Sequence, residues 1–285
     1  MPSSVKPGTL YIVGTPIGNL EDMTFRAVRI LQNVDLIAAE DTRHTGKLLQ
    51  HFQVKTPQIS YHDHNRCQRL GELLEKLHQG NAIALVTDAG MPGISDPGYE
   101  LVKACAEENI NIIPIPGVSA SITGLSVSGL PTDRFIFEGF LPTKAKERQG
   151  KLAEFMRESR TIILYEAPHR VRQTLQDFVE SFGSEREIVL ARELTKLHEE
   201  IWRGTLANAI LYYQDKEPKG EYTIILGGVA ETPLVLSEDA LKAELQELLK
   251  QGLTRSQATR QLSQQTSLPR RQLYQLSLTF VDAEN

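Results

Sequence analysis

Short apolar runs alternate with amphipathic stretches between Leu10 and Pro116, and this alternation constrains the fold more than any other feature of the sequence. The runs lack every-second-residue polarity, which indicates strands that are buried on both faces of a sheet. Predicted strands cover Leu10–Val13, Leu36–Ala39, Ile59–His62, Ile83–Thr87 and Ile112–Ile115. Predicted helices lie between them, around Phe25–Leu31, Thr42–His51, Arg66–Gln79 and Glu100–Glu107. Strands joined by crossover helices predict an α/β unit with a largely parallel sheet, whose strand order this pattern does not reveal.

A second series of strands and helices follows Pro116–Gly129, a segment of small residues that predicts a tight turn and a short helix. The predicted strands lie near Phe135–Glu138, Thr161–Tyr165, Ile188–Ala191, Glu200–Arg203 and Tyr222–Leu226. The predicted helices lie near Lys144–Glu158, Arg170–Phe182 and Leu206–Gln214. We place a domain boundary near Val118, which predicts two α/β domains, 1–118 and 119–232.

The end of the chain, residues 233–285, has a different pattern, because Ser237–Phe280 carries no strand signal. Four leucines of its first amphipathic stretch fall on one helical face: Leu241, Leu245, Leu248 and Leu249. Gly252 is predicted to end this helix, and Thr254 to cap a second one that continues through Leu262. Pro269 is predicted to open a third helix. Three short helices of this kind resemble a helix-turn-helix unit, whose usual partner is nucleic acid.

The composition excludes several classes of protein. Of the 285 residues, 40% are hydrophobic and 24% are charged, so disordered and fibrous chains do not fit. No run of about 18 apolar residues could span a membrane, and Met1–Gly8 lacks the pattern of a signal peptide. Cys67 and Cys105 are too few for a disulfide framework or a cysteine-based metal site, which indicates a reducing, cytoplasmic location. The net charge of −5 argues against a wholly basic nucleic-acid coat and leaves local basic patches open.

A loop with two glycines, Gly14–Asn19, follows the first predicted strand. Ligands bind to α/β sheets at the carboxyl ends of parallel strands, and glycine allows the backbone to approach a ligand closely. The loop matches neither the GxGxxG nor the GxxxxGK[ST] pattern, so nicotinamide and nucleoside-triphosphate sites are unsupported. A purely structural turn between strand and helix is the alternative interpretation.

A second loop, Thr87–Gly98, contains three glycines and two prolines and also follows an apolar strand. This composition predicts a rigid, exposed loop. Asp88, at the end of the strand, is suited to hold hydroxyls or amines of a ligand, and the backbone at Gly90 could approach it closely. Asp96 is predicted to be a turn or capping residue, and the whole loop is open to interpretation as a connector.

Charged residues follow two further strands. Glu40, Asp41 and Arg43 would line a cleft if the loops converge on one edge of the sheet, although Asp41 is equally suited to cap the helix that follows. Glu193 and Lys196 follow a strand of the second series. These two either form surface ion pairs of little energetic value or anchor a phosphate and position a hydroxyl.

The sequence His62-Asp63-His64 invites interpretation as a metal site, because two histidines at i and i+2 of a strand face the same side. Neither a third nearby histidine, a cysteine nor an HExxH motif completes such a site. We therefore predict no metal, and a solvated strand end or a polar contact with substrate is the preferred interpretation.

Basic residues cluster twice, and the clusters predict contacts with a polyanion. The first cluster contains Lys144, Lys146, Arg148 and Lys151. The second contains Lys250, Arg255, Arg260, Arg270 and Arg271, and no acidic residue occurs from Gln251 to Val281. A solvated helix face is the alternative interpretation of each cluster.

Five motifs, in this order and at matching separations, resemble the bacterial 16S ribosomal RNA (cytidine-2′-O)-methyltransferases of the tetrapyrrole methylase-like superfamily. The motifs are Thr15–Leu20, Ala39–Arg43, Thr87–Pro92, Tyr165–Arg170 and Ala191–Lys196. The resemblance extends from about Leu10 to the end of the chain. It implies an α/β, two-domain tetrapyrrole methylase-like fold with a small C-terminal helical unit, and S-adenosylmethionine bound between the domains.

The resemblance also implies a homodimer that methylates the ribose 2′-oxygen of cytidine 1402 of 16S rRNA in the 30S subunit. The residues that it assigns to the cofactor are Thr15, Pro16, Asp88, Gly90, Met91, Ser119, Ala120, Tyr165 and Gly220. The residues that it assigns to substrate and catalysis are Asp41, Arg43, Glu193 and Lys196. Thr87 and Met91 depart from the Ser and Thr that the family usually has. Met91 removes a hydroxyl near the cofactor, so only backbone contacts are expected there.

The chemistry of methyl transfer requires alignment of the acceptor oxygen with the methyl group and sulfur, and a base or hydrogen-bond acceptor for the hydroxyl proton. Three alternatives stay open. The chain could methylate a tetrapyrrole or a modified protein residue, or it could bind RNA without catalysis. A metal-dependent hydrolase that uses Asp41, Asp88 and the histidines is the third.

Overall fold

A computed structural model of the chain describes residues 5–229, 237–266 and 268–279. Contacts between Cα atoms divide the chain into two units, Met1–Val229 and Ala230–Asn285. Both β-sheets belong to the first unit and the C-terminal helices to the second. The predicted boundary near residue 118 separates the elements of the first sheet from those of the second, and as a domain boundary it stays a prediction.

The first sheet is wholly parallel, in the order β3-β2-β4-β1-β5. Its strands are β1 (Thr9–Val13), β2 (Leu36–Ala39), β3 (Gln58–Ser60), β4 (Ile83–Val86) and β5 (Asn111–Ile115). All residues of β1, β2 and β4 are buried, as apolar runs without alternation predict. The prediction of a parallel α/β sheet is therefore confirmed. His62 lies beyond β3, in a turn where its N–H donates to Asn65 Oδ1, so the predicted end of that strand is wrong.

Crossover helices connect these strands, as predicted. They are α1 (Phe25–Asn33), α2 (Thr42–His51), α3 (Arg66–His78) and α4 (Tyr99–Glu107). Threonine and aspartate side chains begin two of them, because Thr24 accepts the N–H of Ala27 and Asp41 accepts the N–H of Arg43. The direction of every crossover brings the strands' carboxyl ends to one edge of the sheet, where the sequence motifs lie.

The second sheet has the order β6-β7-β10-β8-β9 and is mainly antiparallel, with only β6 and β7 parallel. Its strands are β6 (Phe135–Phe140), β7 (Thr161–Glu166), β8 (Glu187–Arg192), β9 (Glu200–Thr205) and β10 (Tyr222–Leu226). Its helices are α5 (Ala120–Ser128), α6 (Ala145–Phe155), α7 (Val171–Phe182) and α8 (Leu206–Tyr212). Helices α6 to α8 contribute to the core on one face, and α5 covers the other.

One side chain from a loop of the first sheet packs into the hydrophobic core of the second sheet. Ile17, from the loop after β1, is buried among residues that include Leu125 of α5, Ile163 of β7 and Val189 of β8. Burial of one apolar side chain stabilises by about 1.5–3 kcal/mol. This contact therefore anchors the loop after β1 to the second sheet.

The second unit consists of three helices, α9 (Glu238–Lys250), α10 (Arg255–Thr266) and α11 (Arg270–Leu278). Its buried core contains Leu241, Leu245, Leu248, Ala258, Leu262 and Leu273. Gly252 has a φ of +90° and ends α9, as predicted, because glycine adopts this conformation without strain. Helix α10 extends one turn beyond the predicted end at Leu262. Phe280, and Met1 to Ser4 of the N-terminal segment, lie outside the described residues.

Candidate active site

The loops after β1 and β4 are joined by backbone hydrogen bonds at the carboxyl edge of the first sheet. The N–H of Thr15 donates to the carbonyl of Gly90 (2.9 Å), and the N–H of Gly90 donates back to Thr15 (3.1 Å). Gly14 has no room for a side chain, because a Cβ atom there would lie 2.7 Å from Gly117 Cα and 2.6 Å from Met91 Sδ. The sequence expectation that the loops converge on one edge is confirmed.

A cavity of about 510 Å³ opens between these loops and the second sheet. We call it the large cavity. From the first-sheet side it is lined by Ile17, Glu40, Asp88, Ala89, Gly90, Met91, Ile94, Ser95 and Asp96. From the other side it is lined by Ser119, Ala120, Phe140, Tyr165, Glu166, Ala167, Pro168, Ala191, Leu194, Glu221, Tyr222 and Thr223. Its volume lies within the range of about 300–1,000 Å³ that is common for small-molecule sites.

Five carboxylates line the large cavity, and none of its lining residues in the described part of the chain is Lys, Arg or His. Two of the five have cationic partners outside the cavity: Glu166 pairs with Arg170 (3.2 Å), and Glu221 pairs with Lys196 (2.7 Å). The other three, Glu40, Asp88 and Asp96, form no ion pair within the described residues. The first-sheet side of the cavity, which carries these three unpaired carboxylates, is therefore its acidic wall.

Glu40 and Asp88 are linked through the backbone across two neighbouring strands. The N–H of Asp88 donates to Glu40 Oε2 (3.2 Å), and the N–H of Asp41 donates to Asp88 Oδ1 (3.3 Å). Burial raises the pKa of Glu40 above its ordinary value, although the hydrogen bond from Asp88 opposes this effect. These bonds fix both carboxylates at the strand ends that form the floor of the site.

Asp96 is a half-buried carboxyl group in the same wall. Burial is the main cause that raises its pKa from 3.8 to about 7, and repulsion by Glu40, Asp88 and Asp63 adds to it. Asp96 was predicted to be a turn or capping residue. It lies in the bend of this loop, but it caps no helix, because α4 begins at Tyr99 after Gly98 without a side-chain cap. The strained loop, with Ser95 at a φ of +62°, also brings Asp96 into the cavity wall, which the sequence did not predict.

Aromatic side chains form the opposite wall. Phe140 is half exposed at the cavity and packs edge-on against Tyr165, with ring centroids 5.7 Å apart. Phe137 contacts the same tyrosine ring at 5.0 Å. The Tyr165 hydroxyl accepts the N–H of Ser121 in the first turn of α5 (3.2 Å), which fixes its orientation. An apolar face opposite an acidic one suits a ligand that is both flat and cationic.

A second cavity of about 290 Å³ adjoins the large one, and Asp88 lines both. We call it the small cavity. It is lined by Thr15, Pro16, Gly18, Asn19, Leu20, His44, Thr45, Lys47, Leu48, Thr87 and Asp88. Unlike the large cavity, it contains a lysine and a histidine and only one carboxylate.

The residues predicted to contact a cofactor distribute over both cavities. Six of them line the large cavity: Asp88, Gly90, Met91, Ser119, Ala120 and Tyr165. Thr15 and Pro16 line the small cavity instead. Gly220 lines neither; it has a φ of +77°, and a Cβ atom there would lie 2.4 Å from Glu193 Cγ. Gly220 thus makes room for Glu193.

Asp41 and Arg43, predicted to act in catalysis, line neither cavity. Asp41 caps α2 and forms two side-chain hydrogen bonds with Arg43, at 3.2 and 2.8 Å. The side-chain hydrogen bonds from Arg43 hold the pKa of Asp41 well below its ordinary value. The capping role that the sequence left open is therefore the one observed, and a catalytic role stays a prediction.

Glu193 and Lys196, the other two predicted catalytic residues, form an ion pair at 2.9 Å. Glu193 Oε1 also accepts the N–H of Glu221 (3.0 Å), and Lys196 Nζ also donates to the carboxylate of Glu221. Glu193 and Thr195 both have positive φ values, 51° and 66°, which are unusual for residues with side chains. The loop after β8 is therefore a strained, internally bonded element beside the large cavity, which its Leu194 lines.

The predicted RNA-binding residues of the first cluster differ in their surroundings. Lys144 and Lys146 are exposed, and Lys144 pairs with Glu147 at 3.0 Å. Arg148 instead forms an ion pair with Asp177 at 2.6 Å, in which both side chains are largely buried, and also donates to the carbonyl of Thr143. For Arg148 the structure therefore indicates a stabilising role, and its contact with RNA stays a prediction.

In the second unit, the four arginines that were predicted to bind RNA lie on α10 and α11. Arg260, Arg270 and Arg271 are exposed, and Arg255 is partly buried. Arg270 donates to the carbonyl and hydroxyl of Ser256, which joins the two helices. Helices α10 and α11 themselves contribute no acidic residue to the surface of this unit.

Among the described residues, no group of three or more His, Cys, Asp or Glu side chains is arranged to hold a metal ion. His62 and His64 approach each other only through their rings, at 5.9 Å. No helix in the same part of the chain is long and apolar enough to cross a membrane.

Sequence reasoning missed the role of four residues of the site, Glu166, Glu221, Phe140 and Asp96. Glu166 is the last residue of β7 and Glu221 directly precedes β10, but the assignment fell on neighbouring residues instead. In the sequence, Phe140 is an ordinary apolar residue of a strand. Two signals could have been used: Glu166 lies within the motif Tyr165–Arg170, and Asp96 is the second aspartate of the loop Thr87–Gly98.

The fold and the cavity define a class of methyltransferases. Residues 9–210 match the family described as Tetrapyrrole (Corrin/Porphyrin) Methylases. The structure of uroporphyrin-III C-methyltransferase from Thermus thermophilus, complexed with S-adenyl homocysteine, covers 77% of this chain and 97% of that chain with a TM-score of 0.54 and 18% identity. This likeness shows the fold, and it confirms the predicted tetrapyrrole methylase-like architecture.

The most similar relatives described below identify a family within this class of methyltransferases. Ribosomal RNA small subunit methyltransferase I of Synechocystis sp. is 63% identical over 272 residues, which are 95% of this chain and 98% of that protein. The protein of the same description from Vibrio cholerae serotype O1 is 53% identical over 221 residues, 77% of each chain. The chain belongs to the ribosomal RNA small subunit methyltransferase I family, so the predicted resemblance is confirmed.

Proposed function

We propose that this protein transfers a methyl group from S-adenosylmethionine to the ribose 2′-oxygen of cytidine 1402 of 16S rRNA. The observation that carries the proposal is the acidic wall of the large cavity. S-adenosylmethionine, when bound, supplies a methyl group on a positively charged sulfonium beside a flat adenine; its ammonium and carboxylate groups offset each other, so the ligand is a net cation. A cavity that is lined by five carboxylates, and by no Lys, Arg or His among the described residues, attracts such a ligand and repels a phosphate.

The residues of the large cavity divide into two roles. Glu40, Asp88 and Asp96 provide negative charge without cationic partners, while Phe140 and Tyr165 provide an apolar face for a flat ring. Backbone groups at Gly90 and Ala120 allow close approach, because neither residue carries a large side chain. Met91 contributes its apolar side chain to this wall and no hydroxyl, as its departure from the family pattern implies.

Catalytic roles for Asp41, Arg43, Glu193 and Lys196 stay predictions. Their contacts support an indirect contribution: Asp41 positions α2, and the pair of Glu193 and Lys196 holds Glu221 at the cavity wall. In the reaction the 2′-oxygen gains the methyl group and loses its proton. Asp88 is the carboxylate best placed to accept or orient that proton, because it lines both cavities.

Two basic surfaces support an RNA substrate. Lys144 and Lys146 are exposed at the start of α6, and Arg260, Arg270 and Arg271 are exposed on α10 and α11. Each phosphate contact releases counterions and so strengthens binding at low salt. These surfaces favour ribosomal RNA over a tetrapyrrole or a protein as acceptor, and the cavity favours an enzyme over a noncatalytic RNA-binding factor.

We also propose that the protein acts as a homodimer in the cytoplasm. Phe25 is 94% exposed and Leu197 is 92% exposed, and such apolar side chains on a surface support burial against a second copy. Sedimentation equilibrium of the purified protein tests this part of the proposal. A monomer at micromolar concentration would contradict it.

The decisive experiment uses S-adenosylmethionine with a tritiated methyl group and 30S subunits from a strain that lacks this modification. Nuclease digestion and mass spectrometry then map the label. We expect label on the ribose of one cytidine, and none with 30S subunits that already carry the modification. Saturable cofactor binding without label on RNA, together with methylation of a porphyrinoid, would support the tetrapyrrole alternative instead.

A further inference from the structure

Two buried threonines line the small cavity, and their hydroxyl groups form no hydrogen bond within the described residues. Thr45, on α2, and Thr87, after β4, are each 2% exposed, and the Oγ1 atom of each has no hydrogen-bond partner in that part of the chain. Both residues line the small cavity. Buried hydroxyls are almost always satisfied, because leaving one without a partner is destabilising. The pair therefore indicates a polar ligand that this chain is built to receive.

The remaining walls of the small cavity identify the chemistry of that ligand. Pro16, Leu20 and Leu48 provide apolar surface, whereas Lys47 and His44 are exposed at α2. A ligand with an apolar ring, polar edges and an attached anion matches this combination. A nucleotide of an RNA strand has these three properties, and proteins commonly hold an unstacked nucleotide in a pocket of this kind.

We infer that the small cavity binds the acceptor nucleotide, with Thr45 and Thr87 bonding its polar edge and Lys47 bonding a flanking phosphate. The inference rests on the proposed function and specifies where the RNA enters the site. The acidic wall of the large cavity repels phosphate, whereas the small cavity carries Lys47 and a single carboxylate. Asp88 lines both cavities. An acceptor oxygen beside Asp88 in the small cavity would therefore lie next to a methyl donor that is bound in the large cavity.

The hydroxyl groups are tested with Thr45→Val and Thr87→Val, alone and together, in the full-length protein. Valine keeps the shape of threonine, and the removed hydroxyls have no partner to lose, so the melting temperature should stay unchanged or rise. We expect kcat/KM for unmodified 30S subunits to fall about tenfold per hydroxyl, as for a lost bond to substrate. The dissociation constant of S-adenosylmethionine, measured by calorimetry, should change less than twofold.

Thr161→Val is the matched control. Its hydroxyl is equally buried but donates to the carbonyl of Pro131 (2.7 Å), and Thr161 lines neither cavity. This variant should lower the melting temperature and leave kcat/KM for 30S subunits unchanged. The opposite signs of the stability changes separate a substrate contact from a general packing effect.

The phosphate contact is tested with Lys47→Ala, and Lys55→Ala is its control. Lys55 carries the same charge beyond the end of α2 and lines neither cavity. In filter binding to 30S subunits, Lys47→Ala should reduce the slope of log Kd against log salt by about 0.7–0.9. Lys55→Ala should leave the slope unchanged.

Binding and methyl transfer are measured separately, so failure of the inference differs from failure of the proposed function. Wild-type protein that methylates or binds 30S subunits, with all four cavity variants equal to it, would overturn the inference alone. Variants that change self-association and leave RNA affinity intact would assign the small cavity to a second copy of the chain, which also overturns it. Wild-type protein that neither binds nor methylates 30S subunits would overturn both.

Discussion

Lys196 passes directly over Gly18, so closely that a Cβ atom on Gly18 would lie 2.3 Å from Lys196 Cγ. The ammonium group of Lys196 then bonds Glu193 and Glu221. One side chain from the second sheet therefore touches the loop after β1, which lines the small cavity, and holds Glu221 in the wall of the large one. This contact couples the shapes of the two cavities.

Substitution of Gly18 by alanine should displace Lys196, because the new methyl group occupies the space of its side chain. We expect a loss of about 1–3 kcal/mol in the free energy of unfolding, as for an overpacked contact. The affinity for S-adenosylmethionine should rise, because Glu221 loses its cationic partner and its charge then adds to that of the unpaired carboxylates in the large cavity. Thermal unfolding and calorimetry measure the two effects.

The double variant Gly18→Ala, Lys196→Ala tests whether the clash is the cause. Without the lysine side chain the new methyl group has nothing to displace, so the stability losses caused by the two substitutions should be less than additive. Gly71→Ala is the control, since a Cβ atom on this exposed residue of α3 meets nothing within 4 Å. It should stabilise the helix by about 0.5–1 kcal/mol. Strictly additive effects at Gly18 and Lys196 would refute the coupling.

Local sequence pattern was sufficient to predict the strands, the helices and the loops that carry the site. Each buried strand contributes a run of apolar residues, and each motif follows such a run. The contact of Lys196 with Gly18 was beyond the reach of this reasoning, because the two residues belong to different sheets. The burial of Asp96 depends in the same way on how its loop packs, since an Asp-Pro-Gly sequence fits an exposed turn equally well.

Charged side chains show a second limit. A charged residue can bind a ligand or satisfy its neighbours, and the sequence does not decide between these outcomes. Asp41 is engaged by Arg43 and Arg148 by Asp177, through contacts that depend on side-chain geometry. Thr45 and Thr87 show the converse, since nothing in the sequence distinguishes a hydroxyl without a partner from a satisfied one.

Asp96 should make the stability of the protein depend on pH. Its pKa is raised to about 7 in the folded protein, against an ordinary value of 3.8. Between these values the folded state holds a proton that the unfolded chain has lost, so the free energy of unfolding falls as pH rises through this window. Asp96→Asn removes the effect. The variant should be more stable than wild type at pH 8, on the order of 2 kcal/mol, with little difference near pH 4.

The same substitution should weaken binding of the methyl donor. Loss of one unpaired carboxylate from the acidic wall should raise the dissociation constant of S-adenosylmethionine about tenfold at pH 8, equivalent to roughly 1.4 kcal/mol. The neutral product should be affected less, because it lacks the sulfonium charge. Calorimetry with both ligands measures the difference. Asp63→Asn is the control, because Asp63 contributes to the same field but does not line the cavity; equal losses in the two variants would argue against direct contact.

Arg148 should prove to be a stabilising residue. Its ion pair with Asp177 is largely buried, so Arg148→Met leaves an unpaired carboxylate and should cost about 3–5 kcal/mol in the free energy of unfolding. Asp177→Leu added to this variant should restore much of the loss. Lys144→Met, which breaks an exposed pair, should cost less than about 1 kcal/mol. Urea denaturation measures all three, and an RNA affinity lowered in folded Arg148→Met protein would return this residue to the RNA surface.

Arg260 and Arg271 should contribute to RNA affinity through charge alone. Both are exposed on the helix pair α10 and α11, so glutamine at both positions removes two charges without disturbing the buried leucines. If each contacts one phosphate, the slope of log Kd against log salt for 30S subunits should fall by about 1.4–1.8. The dissociation constant of S-adenosylmethionine should be unchanged. Lys242→Gln on α9, whose charge is paired with Glu238, should leave the slope as it is, and an unchanged slope in the double variant would place the RNA elsewhere.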